Sequence, residues 1–288
     1  MTVNLRFDIA YDGTDFHGWA SQRDGLRTVQ STLEEVVRLV LRLDESYTLT
    51  VAGRTDAGVH ATGQVANMVV PASSLEQRSI DGDPGRLTSR LNKLLPADVS
   101  LLRVSAVPND FDSRFSALRR HYEYRVTTRP GGPLPLRRID TAAWRKPIDI
   151  DVVAACAVAF VGLHDFVALC KYKPHATTIR TVESFTWEDI STAREPQTYL
   201  ARISADAFCW SMVRSLVGAC LAVGEGRRGL DFAPRLLTLS QRCDEVPVAP
   251  ACGLTLTGVD YPDDDQLAAR AEATRKRRTA DEVDRAGS

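Results

Sequence analysis

The stretch Ala52–Gly63, AGRTDAGVHATG, sets one carboxylate, Asp56, and one arginine, Arg54, among small residues. The apolar run Leu49–Ala52 leads into it, which places the loop at the end of a strand. An aspartate beside glycine is a common turn residue that caps its own backbone. Two features pull against that reading. Arg54 precedes Asp56 by two, and residues i and i+2 of an extended chain share a face. Ala57, Gly58 and Ala61 leave room for a ligand to approach the backbone. A carboxylate so placed suits nucleophilic or proton-transfer chemistry on that ligand.

Two distant segments carry complementary groups. Arg214 interrupts the apolar run Cys209–Val223, with no acid within one helical turn. An unpartnered buried guanidinium is costly, so a partner from elsewhere is required, and Asp56 is a candidate; the other reading is an arginine on a narrow solvent stripe. Arg119-Arg120-His121-Tyr122-Glu123-Tyr124-Arg125 puts two tyrosines on one face of a strand and cations on the other face and at its start. Strand tyrosines commonly pack in cores. Rings interleaved with arginine also suit a surface that stacks bases and binds phosphates. An aspartyl hydrolase or phosphatase built on the Thr55-Asp56 loop would want a second carboxylate or a metal, and no DxD occurs there.

The elements that must hold these residues follow from periodicity. Leu5–Tyr11 alternates as a strand, and Thr28 is the N-cap of a helix to about Leu43 with Val29, Leu33, Val36, Val37 and Val40 inward. Leu49–Ala52, Gln64–Val70 and Val99–Val107 read as strands, with a helix over Gly85–Leu95. The second half predicts strands at Tyr122–Thr128, Thr178–Ile190, Thr198–Ala207 and Gly253–Val259. Its helices are Asp151–Val161, Phe208–Gly224 and Phe232–Ser240. This order points to an α+β sandwich of ferredoxin-like type. From Asp263 the chain carries seven acids, six bases and no aromatic residue, a composition for a mobile or partly helical tail.

Net charge is −1, from 36 basic and 37 acidic side chains, so global charge neither demands nor excludes nucleic acid. Arg119–Lys146 holds eight cations against Glu123 and Asp140, which fits a phosphate-binding surface or a solvated face balanced elsewhere. The six cysteines include no CxxC pair and read as reduced, buried thiols. The five histidines lack metal-ligand spacing, so no metal is expected. No apolar run suggests a membrane span and no signal peptide is evident, so a cytoplasmic protein is expected.

Four stretches together resemble the TruA-type tRNA pseudouridine synthase family: YDGTDFHGW (Tyr11–Trp19), AGRTDAGVHATGQV, FDSRFSALRRHYEYR (Phe111–Arg125) and MVRSLVG (Met212–Gly218). The resemblance runs from Arg6 to about Tyr261. It implies two ferredoxin-like halves, 1–110 and 111–262, followed by the tail 263–288. Their mainly antiparallel sheets would join, with helices on one side, around an RNA-binding cleft. It implies a homodimer without metal or cofactor that converts uridine to pseudouridine at positions 38, 39 and 40 of the tRNA anticodon stem-loop. A non-catalytic RNA-binding protein of the same fold is the alternative. Asp56 matches the family's catalytic aspartate, Tyr122 its active-site tyrosine, and Arg54 and Arg214 the flanking arginines. Tyr122, Arg54, Arg119, Arg120 and His60 form the candidate substrate-binding set. The chain departs from the family pattern at Ala20, at Trp210-Ser211, where many members carry two histidines, and within His164–Tyr172.

Overall fold

The computed structural model describes residues 1–22, 25–173, 177–276, 278 and 282–283. Arg277 of the basic cluster and residues 284–288 of the tail lie outside the described residues. The chain divides into two compact units. One is Met1–Leu118 with Leu256–Lys276; the other is Arg119–Thr255, to which Arg278 also belongs.

The first unit runs strand–helix–strand–strand–helix–strand. Its elements are β1 (Thr2–Tyr11), α1 (Val29–Leu41), β2 (Thr50–Val51), β3 (His60–Pro71), α2 (Gly85–Asn92) and β4 (Val99–Val107). The strands pair antiparallel in the order β4-β1-β3-β2, with Phe7 opposite both Ala66 and Val104. Alternation in β1 buries Leu5, Phe7, Ile9 and Tyr11, as period 2 requires. Thr28 caps α1 in a capping box with Ser31, which satisfies two end donors and stabilises by about 1 kcal/mol. The helix ends before the expected Leu43 because Arg42 turns left-handed, φ 57°. Part of the expected tail folds as a helix, Leu267–Arg275. Leu267 packs with Ala52, Val65 and Phe111 beneath the root of the Asp56 loop.

In the second unit β5 (Arg119–Thr127), β9 (Thr198–Ala205), β8 (Ile179–Asp189) and β7 (Gly162–Asp165) lie side by side, all antiparallel. The two-residue β6 (Ala142–Ala143) is the parallel exception, beside β5. Strands this short carry no readable alternation, and neither β6 nor β7 is visible in the sequence. Helix α3 (Ile150–Val158) packs on β8 and on α4 (Met212–Gly224). The chain continues through α5 (Phe232–Leu237) to β10 (Leu254–Asp260), whose first two residues complete this unit. The fold is thus α+β with mainly antiparallel pairing and a repeated element order. Two further expectations change. Helix α4 starts at Met212 rather than Phe208, because Ser211 takes φ 68° and breaks the helical path. Cys170 and Cys209 are joined as a disulfide with Cα atoms 5.8 Å apart, so the cysteines are not all free thiols.

Candidate active site

In the first unit the loop after β2 is built on the segment Tyr11–Trp19. The Tyr11 hydroxyl and Thr55 Oγ1 lie 2.7 Å apart, and the Trp19 N–H donates to the Thr55 carbonyl at 3.0 Å. Gln64 Nε2 donates to the Gly53 carbonyl at 2.8 Å. Thr55 is therefore buried and tied at both backbone and side chain, while Arg54 before it is exposed and Asp56 after it is half-buried. The Asp56 carbonyl accepts from Val59 N–H, closing a turn in which Gly58 has φ 75°. Gly18 reaches beneath the loop with φ 91°; a Cβ there would stand 2.8 Å from the Thr55 carbonyl oxygen. Burial pushes the Tyr11 hydroxyl up to about 12 against the opposing pull of its bonds to Thr55 and Gln64, so it stays protonated as a donor.

The small residues serve different ends. Gly53 and Ala57 do border open space or solvent. Ala61 is buried opposite Tyr11 in the strand pair, and Gly63 lets β3 meet the backbone of Thr257 and Gly258. Of the residues expected to leave room for a ligand, Ala57 is exposed and Ala61 is not. His60 is buried, with Nδ1 accepting the Gly13 N–H at 3.0 Å. The same nitrogen lies 3.1 Å from Asp12 Oδ1.

In the second unit Tyr122 and Tyr124 point inward from β5, as the alternation predicts. Tyr122 meets Phe208 edge-on, ring centroids 5.1 Å apart. Arg120 is buried and donates to the Asp206 carbonyl at 2.6 Å; Arg119 is half-exposed and paired with Glu183 at 2.9 Å. Arg214, on the first turn of α4, donates from Nε to the Ala249 carbonyl at 2.7 Å, and Tyr124 Oη donates to the next carbonyl, Pro250, at 3.0 Å. Gly218 lets this segment press on α4, where the Pro247 carbonyl occupies the space of a side chain. Among the described residues no group of His, Cys, Asp and Glu is arranged to hold a metal ion.

A family model described as tRNA pseudouridine synthase matches residues 9–116 and 156–262. The chain belongs to that family. The tRNA pseudouridine synthase A of Corynebacterium glutamicum is 60% identical over 274 residues, covering 95% of this chain and 94% of the relative. Those of Mycobacterium leprae and Frankia casuarinae are 47% and 48% identical, again over 95% or more of this chain.

Membership in the tRNA pseudouridine synthase family gives the geometry its meaning. Arg54 and Asp56 share one loop in the first unit, with His60 at the start of β3, and Tyr122, Arg119, Arg120 and Arg214 lie in the second unit. Sequence reasoning missed the residues that aim them: Tyr11, Gly13, Gly18 and Thr55 for the loop, Phe208 for Tyr122, and Ala249 for Arg214. The signal for the first group was present, since the Tyr11–Trp19 motif has three of the four. Nothing in the sequence marks Ala249, because its part is played by backbone atoms.

Proposed function

We propose that this protein converts uridine to pseudouridine at positions 38, 39 and 40 of the tRNA anticodon stem-loop, with Asp56 as the essential carboxylate. The observation that carries this reading is the way the Tyr11–Trp19 segment fixes Thr55 at backbone and side chain, which holds the neighbouring, half-buried Asp56 on a rigid loop. The reaction breaks the ribose C1′–N1 bond, turns the uracil and joins C1′ to C5. N1 gains a proton and C5 loses one, so atoms and electrons balance within a single nucleotide and the reading assigns no cofactor. Asp56 acts as nucleophile at C1′ or C6, or assists elimination through a glycal. Arg214 supplies the positive charge that keeps a carboxylate ionised, and Arg54, exposed beside it, supports the flipped nucleotide. Tyr122 stacks on the detached uracil and helps the C5 proton leave, directly or through water. Arg119, Arg120 and His60 belong to the same RNA-binding reading, Arg120 and His60 as buried supports. The assignment extends to a cytoplasmic homodimer; no helix among the described residues is long and apolar enough to cross a membrane.

The test is incubation of the wild type and Asp56→Asn with unmodified tRNA transcripts, followed by mapping of pseudouridine. Wild-type product at 38–40 and none from a folded, tRNA-binding Asp56→Asn is the expected result. Equal turnover by both proteins removes Asp56 from the chemistry. Binding without turnover by the wild type leaves the non-catalytic RNA-binding alternative.

A further inference from the structure

Of the four tryptophans, Trp210 alone is exposed, at 51%. It lies in the turn between β9 and α4, one residue before the left-handed Ser211. That conformation lets Ser211, Met212 and Val213 turn inward while the indole stays in water. The turn is firmly held. The Lys171 N–H donates to the Trp210 carbonyl at 2.9 Å, and the neighbours Cys170 and Cys209 are joined covalently. The Lys171 ammonium stands 5.1 Å from the centre of the indole ring. Tyr172 follows at 84% exposure, then the exposed Lys173. Neither 170–173 nor 207–214 contains an acidic residue. Two residues before Trp210, Phe208 packs against Tyr122.

A solvated tryptophan held in place by a disulfide and a backbone bond, flanked by two lysines and an open tyrosine, has the composition of a stacking surface for single-stranded nucleic acid. Rings take base faces and cations take phosphates. We infer that Trp210 and Lys171 form a second RNA contact, in which the indole stacks on an unpaired base of the tRNA substrate and Lys171 meets an adjacent phosphate. This rests on the proposed function for the identity of the RNA. It deepens that reading by naming residues that add affinity for the substrate outside the Asp56 loop. Fixing the backbone of the turn beforehand lowers the ordering cost of the contact. The two aromatic side chains, Trp210 outside and Tyr122 inside, are linked through Phe208 on one short turn.

The experiment compares wild type, Trp210→Ala, Trp210→Phe and Lys171→Ala on an unmodified tRNA transcript. Turnover and tRNA binding followed by tryptophan fluorescence or filter retention are both read. Trp210→Ala is expected to raise KM and Kd about tenfold with kcat within about twofold, and Trp210→Phe to retain most of the affinity. Lys171→Ala is expected to reduce the slope of log affinity against log salt by about 0.7. Unchanged affinity in Trp210→Ala overturns the inference. So does a fall in kcat alone, which would mean that the turn acts only through Phe208 and Tyr122, and so does a change of oligomeric state without a change in RNA affinity. If Trp210→Ala fails to fold, Trp210→Phe and the salt slope of Lys171→Ala decide. The binding arms, repeated in an Asp56→Asn background, are independent of turnover. Failure of the proposed chemistry is thereby distinguished from failure of this contact.

Discussion

Arg214 and Ala249 hold each other by two hydrogen bonds. The guanidinium Nε donates to the Ala249 carbonyl at 2.7 Å, and the Ala249 N–H donates to the Arg214 carbonyl at 3.0 Å. The second bond survives any substitution at 214, since it uses backbone alone. The first requires the arginine Nε and fixes the direction of the planar head. Arg214→Lys keeps the charge and loses that direction. It is expected to lose at least about tenfold in kcat and, with one charged hydrogen bond gone, about 1–3 kcal/mol of stability. Single-turnover kinetics and thermal melting measure the two effects separately. A lysine variant with wild-type kcat would show that charge at 214 suffices.

Tyr11→Phe removes the hydroxyl that meets Thr55 Oγ1 and leaves a buried threonine oxygen without that partner. A loss of about 1–3 kcal/mol is expected, with kcat reduced and KM for tRNA nearly unchanged, because the loop rather than the RNA contact is loosened. Combining it with Thr55→Val should give less than the sum of the two single losses. Chemical denaturation of the four proteins checks this, and strict additivity would rule out the coupling.

Gly18→Ala meets two obstacles at once, a left-handed φ of 91° and a carbonyl oxygen 2.8 Å from the new Cβ. Gly53, on the Asp56 loop, has nothing within 4 Å of its Cβ position. Gly18→Ala is expected to destabilise by roughly 1–3 kcal/mol and to cut activity, whereas Gly53→Ala should keep its melting temperature. Melting curves for the pair supply the comparison.

Alkaline pH should reveal the buried tyrosines. Burial raises the Tyr11 hydroxyl from 10.0 to about 12 and pushes that of Tyr124 well above the ordinary range. A raised folded value means the unfolded chain ionises first. The stability these groups contribute is complete below pH 10, and it falls as pH climbs through about 12. At about pH 11, where an ordinary tyrosine is already mostly ionised, phenolate absorbance of the native protein should therefore fall short of all seven tyrosines, with most of the remainder appearing on denaturation. Full ionisation of the native state at that point would contradict the burial of both hydroxyls.

Much of the secondary structure belongs to the sequence itself. The alternation of Leu5, Phe7, Ile9 and Tyr11, the Thr28 cap and the apolar face of α1 each act over a few residues, where sterics and periodicity suffice. Asp56 and Arg214 also stand out in the sequence by type, as a lone carboxylate among glycines and a lone cation in an apolar run. Their aiming does not. Gly18 beneath Thr55, Gly63 against β10, Ala249 against Arg214 and Cys170 joined to Cys209 bring together residues 35 to more than 190 positions apart. In most of these contacts backbone atoms or the absence of a side chain decide, and such features leave no pattern in residue types. The sequence by itself thus determined the local elements and which groups are candidates for the chemistry. Only the tertiary structure decided how they are held, because close approach between distant backbones is a property of the packed fold.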